Sequence, residues 1–306
     1  MKMSALLATL CHKGMVESMG VDLMVALARI VMNNYDINKR SGIPESIPIT
    51  KKDASTQIMI DIKSEGVLFE FANLLVKIHL EGYMGRPNQI TTVRQIIREM
   101  FDLGYIYDKE YKMFIENSEV HRTPNWGVLK EGAEHSFTFL RLDIAGNSIL
   151  VRDNSAQAVE TAYAELRKTV EKAVEKRNGR IWSWEGDGVL AAFYFSRKDE
   201  NATLAAIEIT HELYIYNATR CGLKSPLNVR IAINTGLCNY TSDIEKIKKS
   251  DTIKKTIEME AKHTPLNTVT ISGISGQHFN DNLVMRLSKT MAAGSVKYFN
   301  YSLKWI

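Results

Sequence analysis

The chain has 306 residues, enough for two domains, and its 45% hydrophobic and 24% charged composition is that of a globular protein with a buried core. This excludes a disordered or low-complexity chain, and no stretch reaches the roughly 18 apolar residues of a membrane span. The net charge of +4 is spread along the chain with no basic arm, so nothing supports nucleic-acid binding. Three scattered cysteines, Cys11, Cys221 and Cys238, suit neither a disulfide framework nor a zinc site, and point to a reducing, cytoplasmic compartment.

Met1–Cys11 begins like a signal peptide, but His12 and Lys13 end the apolar run and no small-residue cleavage pattern follows. It reads instead as a first amphipathic helix. Val21–Met32 repeats apolar residues at helical spacing, and Gly42, Pro44 and Pro48 break the pattern. A further stretch opens at Lys52 and is interrupted by Gly66. Leu68, Phe71, Leu74, Leu75 and Ile78 then share one helix face, and Thr91 or Thr92 could cap a helix from Val93 to Leu103. Residues 1–120 thus predict a small all-helical module, suited to interaction or regulation, and residues 121–134 a linker.

The pattern changes after that. Phe137–Asp143 reads as a strand, Ala156–Lys176 as a helix, and Arg180–Trp184 and Val189–Phe195 as strands around Gly186-Asp187-Gly188. Asn201–Arg220 is helical, Leu227–Asn234 a strand, Asp251–Lys262 helical and Thr268–Ser272 a short strand. The order β-α-β-β-α-β predicts an α+β, ferredoxin-like domain over residues 135–306.

Two acidic residues stand out by position. Asp143 ends a buried-type strand and opens the small-residue stretch Ala145-Gly146-Asn147-Ser148. A carboxylate there can hold a cation while backbone N–H groups face phosphate oxygens; alone, it is equally a helix cap or turn residue. Asp187, between two glycines, is by itself a hairpin residue. In a β-α-β-β unit the first strand and the hairpin are neighbours. The two carboxylates can therefore converge on a pair of divalent cations, Mg²⁺ or Mn²⁺, with substrate phosphates completing the shell.

With these residues in place, positions 137–306 resemble the catalytic domain of class III nucleotidyl cyclases. The matching stretches are Leu142–Ser148, Gly179–Phe193 and Val229–Gly236. The resemblance implies metal binding by Asp143, Asp187 and the Ile144 carbonyl, and phosphate contacts from Gly146, Asn147 and Ser148. It implies attack of a ribose 3′-oxygen on the α-phosphate of a nucleoside triphosphate, with release of pyrophosphate, in head-to-tail homodimers with composite sites.

The chain also departs from the family. Four residues before Asp187, where adenylate cyclases usually carry Lys and guanylate cyclases Glu, stands the short, neutral Ser183, between Trp182 and Trp184. Strand alternation predicts that both tryptophans face away from Ser183. The family's transition-state Asn position falls on Lys254 and its phosphate-binding Arg position on Glu258. Lys254 or Lys255 could supply the missing charge, although both belong to a lysine cluster that also reads as a solvated face. These departures resemble the pyrimidine cyclases of bacterial Pycsar anti-phage systems, which implies UTP or CTP as substrate and a separate effector that reads the cyclic product. The helical half resembles death-like adaptor modules only loosely. Other readings are an adenylate cyclase with an altered base pocket and an inactive nucleotide-binding domain. A diguanylate-cyclase relative would need a Gly-Gly-Asp/Glu-Glu/Asp-Phe turn, which Glu185-Gly186-Asp187-Gly188 does not match.

Overall fold

Helical apolar spacing dominates the first part of the chain and strand alternation the second, and the chain forms one compact unit from each. The structure is a computed structural model that describes residues 5–109, 111–277, 288–293 and 296–303. The units are Met1–His121 and Arg122–Ile306. The first four residues of the N-terminal apolar run lie outside the described part.

The first unit contains α1 (Ala5–Ser18), α2 (Val21–Val31), α3 (Ile37–Ser41), α4 (Lys51–Ser64), α5 (Leu68–Glu81) and α6 (Val93–Asp102). Their apolar stripes meet in a core that includes Leu7, Met15, Leu27, Ile58, Phe71, Leu75 and Ile96. Asp36 and Thr50 cap α3 and α4 by accepting backbone N–H bonds of the first turn. The predicted cap at Thr92 does not form: its hydroxyl donates to the Leu10 carbonyl, tying α6 to α1 instead. The unit is also not all-helical. Strands β1 (Tyr105–Asp108) and β2 (Met113–Glu116) pair antiparallel after Gly104, which turns the chain at φ +88°. Alternation decides this segment: Tyr105 and Phe114 both bury their rings against Phe69.

The second unit is a mixed α+β fold. Its elements are β3 (Glu134–Ile144), α7 (Asn147–Asp153), α8 (Ala156–Glu175), β4 (Arg180–Glu185), β5 (Gly188–Phe193), α9 (Lys198–Thr219), β6 (Val229–Asn239), α10 (Ile244–Ile247), α11 (Asp251–His263), β7 (Thr268–Ser272), α12 (Gly273–Gln277), β8 (Lys289–Ala293) and β9 (Val296–Ser302). The strand order β4-β5-β3-β6 is the ferredoxin-like one, and β7, β9 and β8 extend the sheet beyond β6. Leu140, Leu142 and Ile144 of β3, with Val189, Ala191, Ile231 and Ile233, turn to one face. There they join Ala162, Leu166 and Val170 of α8 and Ala202, Ile209 and Leu213 of α9 in one core. The intervening residues of β3 face the other side, which α11 crosses over β6 and β3.

Residues 122–133 are not a linker. They form a strap that belongs to the second unit, because their one large aromatic, Trp126, is fully buried. Its ring stacks on Phe137, and its indole N–H donates to the Asn178 carbonyl at 2.7 Å. In return, Trp182 and Arg180 of β4 donate to the carbonyls of Pro124 and Thr123, each at 3.0 Å. Loss of a buried indole costs about 3–5 kcal/mol. Trp126→Ala should therefore lower the stability of the second unit by an amount of that order, and Trp126→Phe by less. Urea denaturation of the full chain, followed by near-ultraviolet circular dichroism, measures this. A wild-type midpoint for Trp126→Ala would exclude the strap from the folded core.

Candidate functional site

The site is built at the end of the central strand pair. The β3–β5 ladder runs antiparallel to Leu142–Val189, so Asp143 and the β4–β5 hairpin loop lie side by side just beyond its last pair. That hairpin has a two-residue loop, Gly186-Asp187, closed by the pair Glu185–Gly188. Positive φ is carried by Gly186, at +57°. The turn thus requires the first glycine and leaves Asp187 without a conformational duty. At Gly188 a Cβ would lie 2.4 Å from Nη2 of Arg141, so a larger residue there would displace that guanidinium.

Both carboxylates act on one phenol. Tyr163 of α8 donates to Oδ1 of Asn147, and its hydroxyl is held above the usual tyrosine range, first by burial and then by the charges of Asp187 and Asp143. Tyr163 thus bonds Asn147 directly and feels the charges of Asp187 and Asp143. Gly146 precedes α7 in the left-handed region, at φ +71°. Asn147 and Ser148 are therefore not a loop, as their small size suggested, but the first turn of a short helix, whose leading N–H groups have no acceptor within the helix.

Asp143 is largely shielded, with 18% of its side chain accessible. Arg230, its partner across the β3–β6 ladder, donates from Nη2 to Oδ2 at 2.8 Å. The same guanidinium places Nε 2.8 Å from Oε1 of Glu260 on α11, an ion pair outside hydrogen-bond alignment. Glu260 is buried. Its carboxyl is pushed above the usual range by that burial and by the charge of Asp143, against the pull of Arg230 and Arg141. A second chain of charges runs from Arg141 to Glu185 at 3.8 Å, and on to Lys248, whose ammonium is shifted upward by Glu185 and Glu245. Sequence reasoning missed Arg230, Glu260, Arg141 and Lys248. The third matching stretch contained Arg230, and its place opposite Asp143 in an antiparallel pair was the available signal.

Lys254 and Lys255 are exposed on α11, and the helix buries Ile253, Thr256, Met259 and Glu260 instead. Lys255 and Glu258 line a cavity of about 900 Å³ with Lys297 and His263, and Glu258 pairs with Lys262 at 2.7 Å. Neither Lys254 nor Lys255 is joined to Asp143 or Asp187 within the chain.

Ser183 sits opposite Leu190, and its hydroxyl is sealed from solvent without a hydrogen-bond partner. The prediction that both tryptophans face away from it fails for one of them. A bulge between Ile181 and Ser183 puts the Trp182 ring among Phe137, Phe139 and Tyr240, on the face opposite the helices. Trp184 keeps to the helix side, where the Arg167 guanidinium lies 4.8 Å over its ring.

The donor set fits a hard divalent cation. The strand register places Asp143 and Asp187 near one strand end, and among the described residues no group of three or more His, Cys, Asp or Glu side chains gathers. A cation there would take few protein ligands and complete its shell with other oxygens, as Mg²⁺ does and structural zinc does not. The shared effect on Tyr163 is measurable. Asp187→Asn should lower its phenol pKa toward the usual value while leaving the contribution of burial. NMR titration of ¹³Cζ-labelled tyrosine reads this shift, and an unchanged Tyr163 would separate Asp187 from the site.

No family model matches the chain, and no curated protein matches it. Among solved structures it is similar to the guanylyl cyclase domain of the RhoGC fusion protein from the aquatic fungus Blastocladiella emersonii, at 14% identity and a TM-score of 0.47 over 56% of this chain and 97% of that one. It is also similar to an adenylate/guanylate cyclase/hydrolase from Silicibacter pomeroyi, at 20% identity and 0.48 over 56% and 99%. A third similar structure is the adenylyl cyclase CyaB from P. aeruginosa, at 17% identity and 0.46 over 56% and 96%.

Proposed function

We propose that the second unit is a nucleotidyl cyclase that converts a pyrimidine nucleoside triphosphate, UTP before CTP, to its 3′,5′-cyclic monophosphate and pyrophosphate. The observation that supports the reading is the β3–β5 register, which sets the Asp143 end of β3 beside the Gly186-Asp187 turn on a ferredoxin-like sheet, with Gly146 opening α7 just after β3. Two divalent cations, Mg²⁺ or Mn²⁺, held by Asp143, Asp187 and the Ile144 carbonyl, would activate the ribose 3′-oxygen and stabilise charge on the leaving pyrophosphate. The chain's own residues do the rest by positioning. Gly146 lets the backbone approach the phosphates, and Asn147 and Ser148 present the first turn of α7 to them. Lys254 or Lys255 would reach a facing protomer's site, in keeping with their exposure and with a homodimer. The cyclic product would serve as a messenger for a separate effector, in the manner of the anti-phage systems the sequence resembles, and the first unit would be its regulatory module.

The pyrimidine preference rests on Ser183. A buried hydroxyl without a partner is costly, and a base edge admitted by a shift of the side chains that cover Ser183 would satisfy it with one donor or acceptor. The bulge packs Trp182 on the same face beside it, which narrows the space for a purine. A second reading, nucleotide binding without turnover, is favoured by Glu258 standing at the family's Arg position and pairing locally with Lys262.

Incubation of the full chain with all four ribonucleoside triphosphates and Mn²⁺, followed by mass identification of cyclic monophosphates, separates these readings. UTP turnover should exceed ATP turnover by at least about tenfold, the scale of discrimination by pocket fit. Asp143→Ala and Asp187→Ala should abolish turnover. A preference for ATP would end the pyrimidine assignment. Folded carboxylate variants that still release pyrophosphate at the wild-type rate would end the metal assignment.

A further inference from the structure

Glu260 stands on the buried face of α11, between Met259 and the end of the helix, and is 4% exposed. A carboxylate in that position is destabilising unless it is paired. The cation it faces is Arg230, which Asp143 already uses. One guanidinium therefore serves two carboxylates, and the two contacts differ in quality. Toward Asp143 it is an aligned hydrogen bond of 2.8 Å; toward Glu260 it is a 2.8 Å ion pair out of alignment. Arg230 cannot shed its charge, and its fork can make two parallel bonds to a carboxylate. When Asp143 turns to a cation, Arg230, with 29% of its side chain accessible, loses its one aligned carboxylate. The carboxylate already within 2.8 Å of it, with alignment still to gain, is Glu260.

We infer that Glu260 is a positioning residue for Asp143: it draws Arg230 aside when Asp143 binds a divalent cation, and without it Arg230 stays on Asp143 and competes with the metal. The inference rests on the proposed metal reading of Asp143. It also ties metal binding to α11, the helix that bears Lys254 and Lys255.

The test is Mn²⁺ binding by the full chain, followed by electron paramagnetic resonance at one pH, for wild type, Glu260→Gln, Arg230→Gln and the double variant. Glu260→Gln should weaken Mn²⁺ binding about tenfold, within the range of coupling between contacting residues. Arg230→Gln should bind at least as tightly as wild type, and in its background Glu260→Gln should have no further effect. Glu260→Asp, which keeps the carboxylate, should restore much of the affinity. Equal binding by wild type and Glu260→Gln would overturn the inference, as would an equal loss in both backgrounds, which marks a merely structural residue. If Glu260→Gln does not fold, Arg230→Gln decides: weaker binding than wild type overturns the competition. Absence of Mn²⁺ binding by wild type and by Arg230→Gln alike would instead remove the metal reading on which the inference stands.

Discussion

The register of the β3–β6 ladder governs the second unit. Eleven antiparallel pairs run from Glu134–Asn239 to Ile144–Val229. A slip of one residue would turn Leu140, Leu142 and Ile144 out of the core they share with α8 and α9, and β6 would lose the burial of Ile231 and Ile233. The apolar residues therefore decide where the polar ones go. With this register, Asp143 and Arg230 are a facing pair on the side that α11 covers, and the acid at the strand end has its counter-charge without any long-range search. The same alternation sets Asn234 beneath Thr252 and Thr256 of α11. One face of the sheet is an apolar core, and the other carries the charged groups beside an aromatic cluster.

A single irregularity modifies that division. The bulge at Trp182 adds a residue to β4 and brings a tryptophan and Ser183 to the same face. The ring completes an aromatic cluster with Trp126, Phe137 and Phe139, and the strap at residues 122–133 closes over it. Two hydrogen bonds from β4 to the strap, at Thr123 and Pro124, then hold the strand that carries Ser183. The unusual bulk around Ser183 thus has a structural origin in the cluster, and its position beside the hydroxyl follows from the bulge rather than from simple alternation.

These particulars separate what was legible in the sequence from what was not. The strands and helices of the second unit, their ferredoxin-like order and the adjacency of the β3 end to the β4–β5 hairpin follow from local periodicity and from neighbour rules within one supersecondary unit. The strap did not, because Thr-Pro-Asn and glycine read as loop chemistry while the burial of one tryptophan decides the outcome. The β1–β2 hairpin was hidden because its two four-residue strands are too short for alternation to stand out from helical spacing. The bulge has no signature in the strand itself. The Asp143–Arg230–Glu260 chain joins residues from β3, β6 and α11, and Glu260 becomes visible only when α11 is laid across the sheet with its buried face down.

The charges around Asp143 and Asp187 bear on how a substrate would enter. Asp143, Asp187, Glu185 and Glu260 stand against Arg141, Arg230 and Lys248, and each of the three cations is already engaged with one of these carboxylates. With Glu245, which also pairs with Lys248, the carboxylates outnumber these cations. On the proposed reading, a bare triphosphate would be repelled there, since like charges a few ångströms apart in a partly shielded site interact by several kcal/mol. Divalent cations reverse the sign locally, so polyanion and cation bind with positive coupling. Arg230 then has a choice between Glu260 and an incoming phosphate oxygen. Held by an out-of-line contact on one side and an aligned one on the other, it is the group in the site whose partner is most easily exchanged.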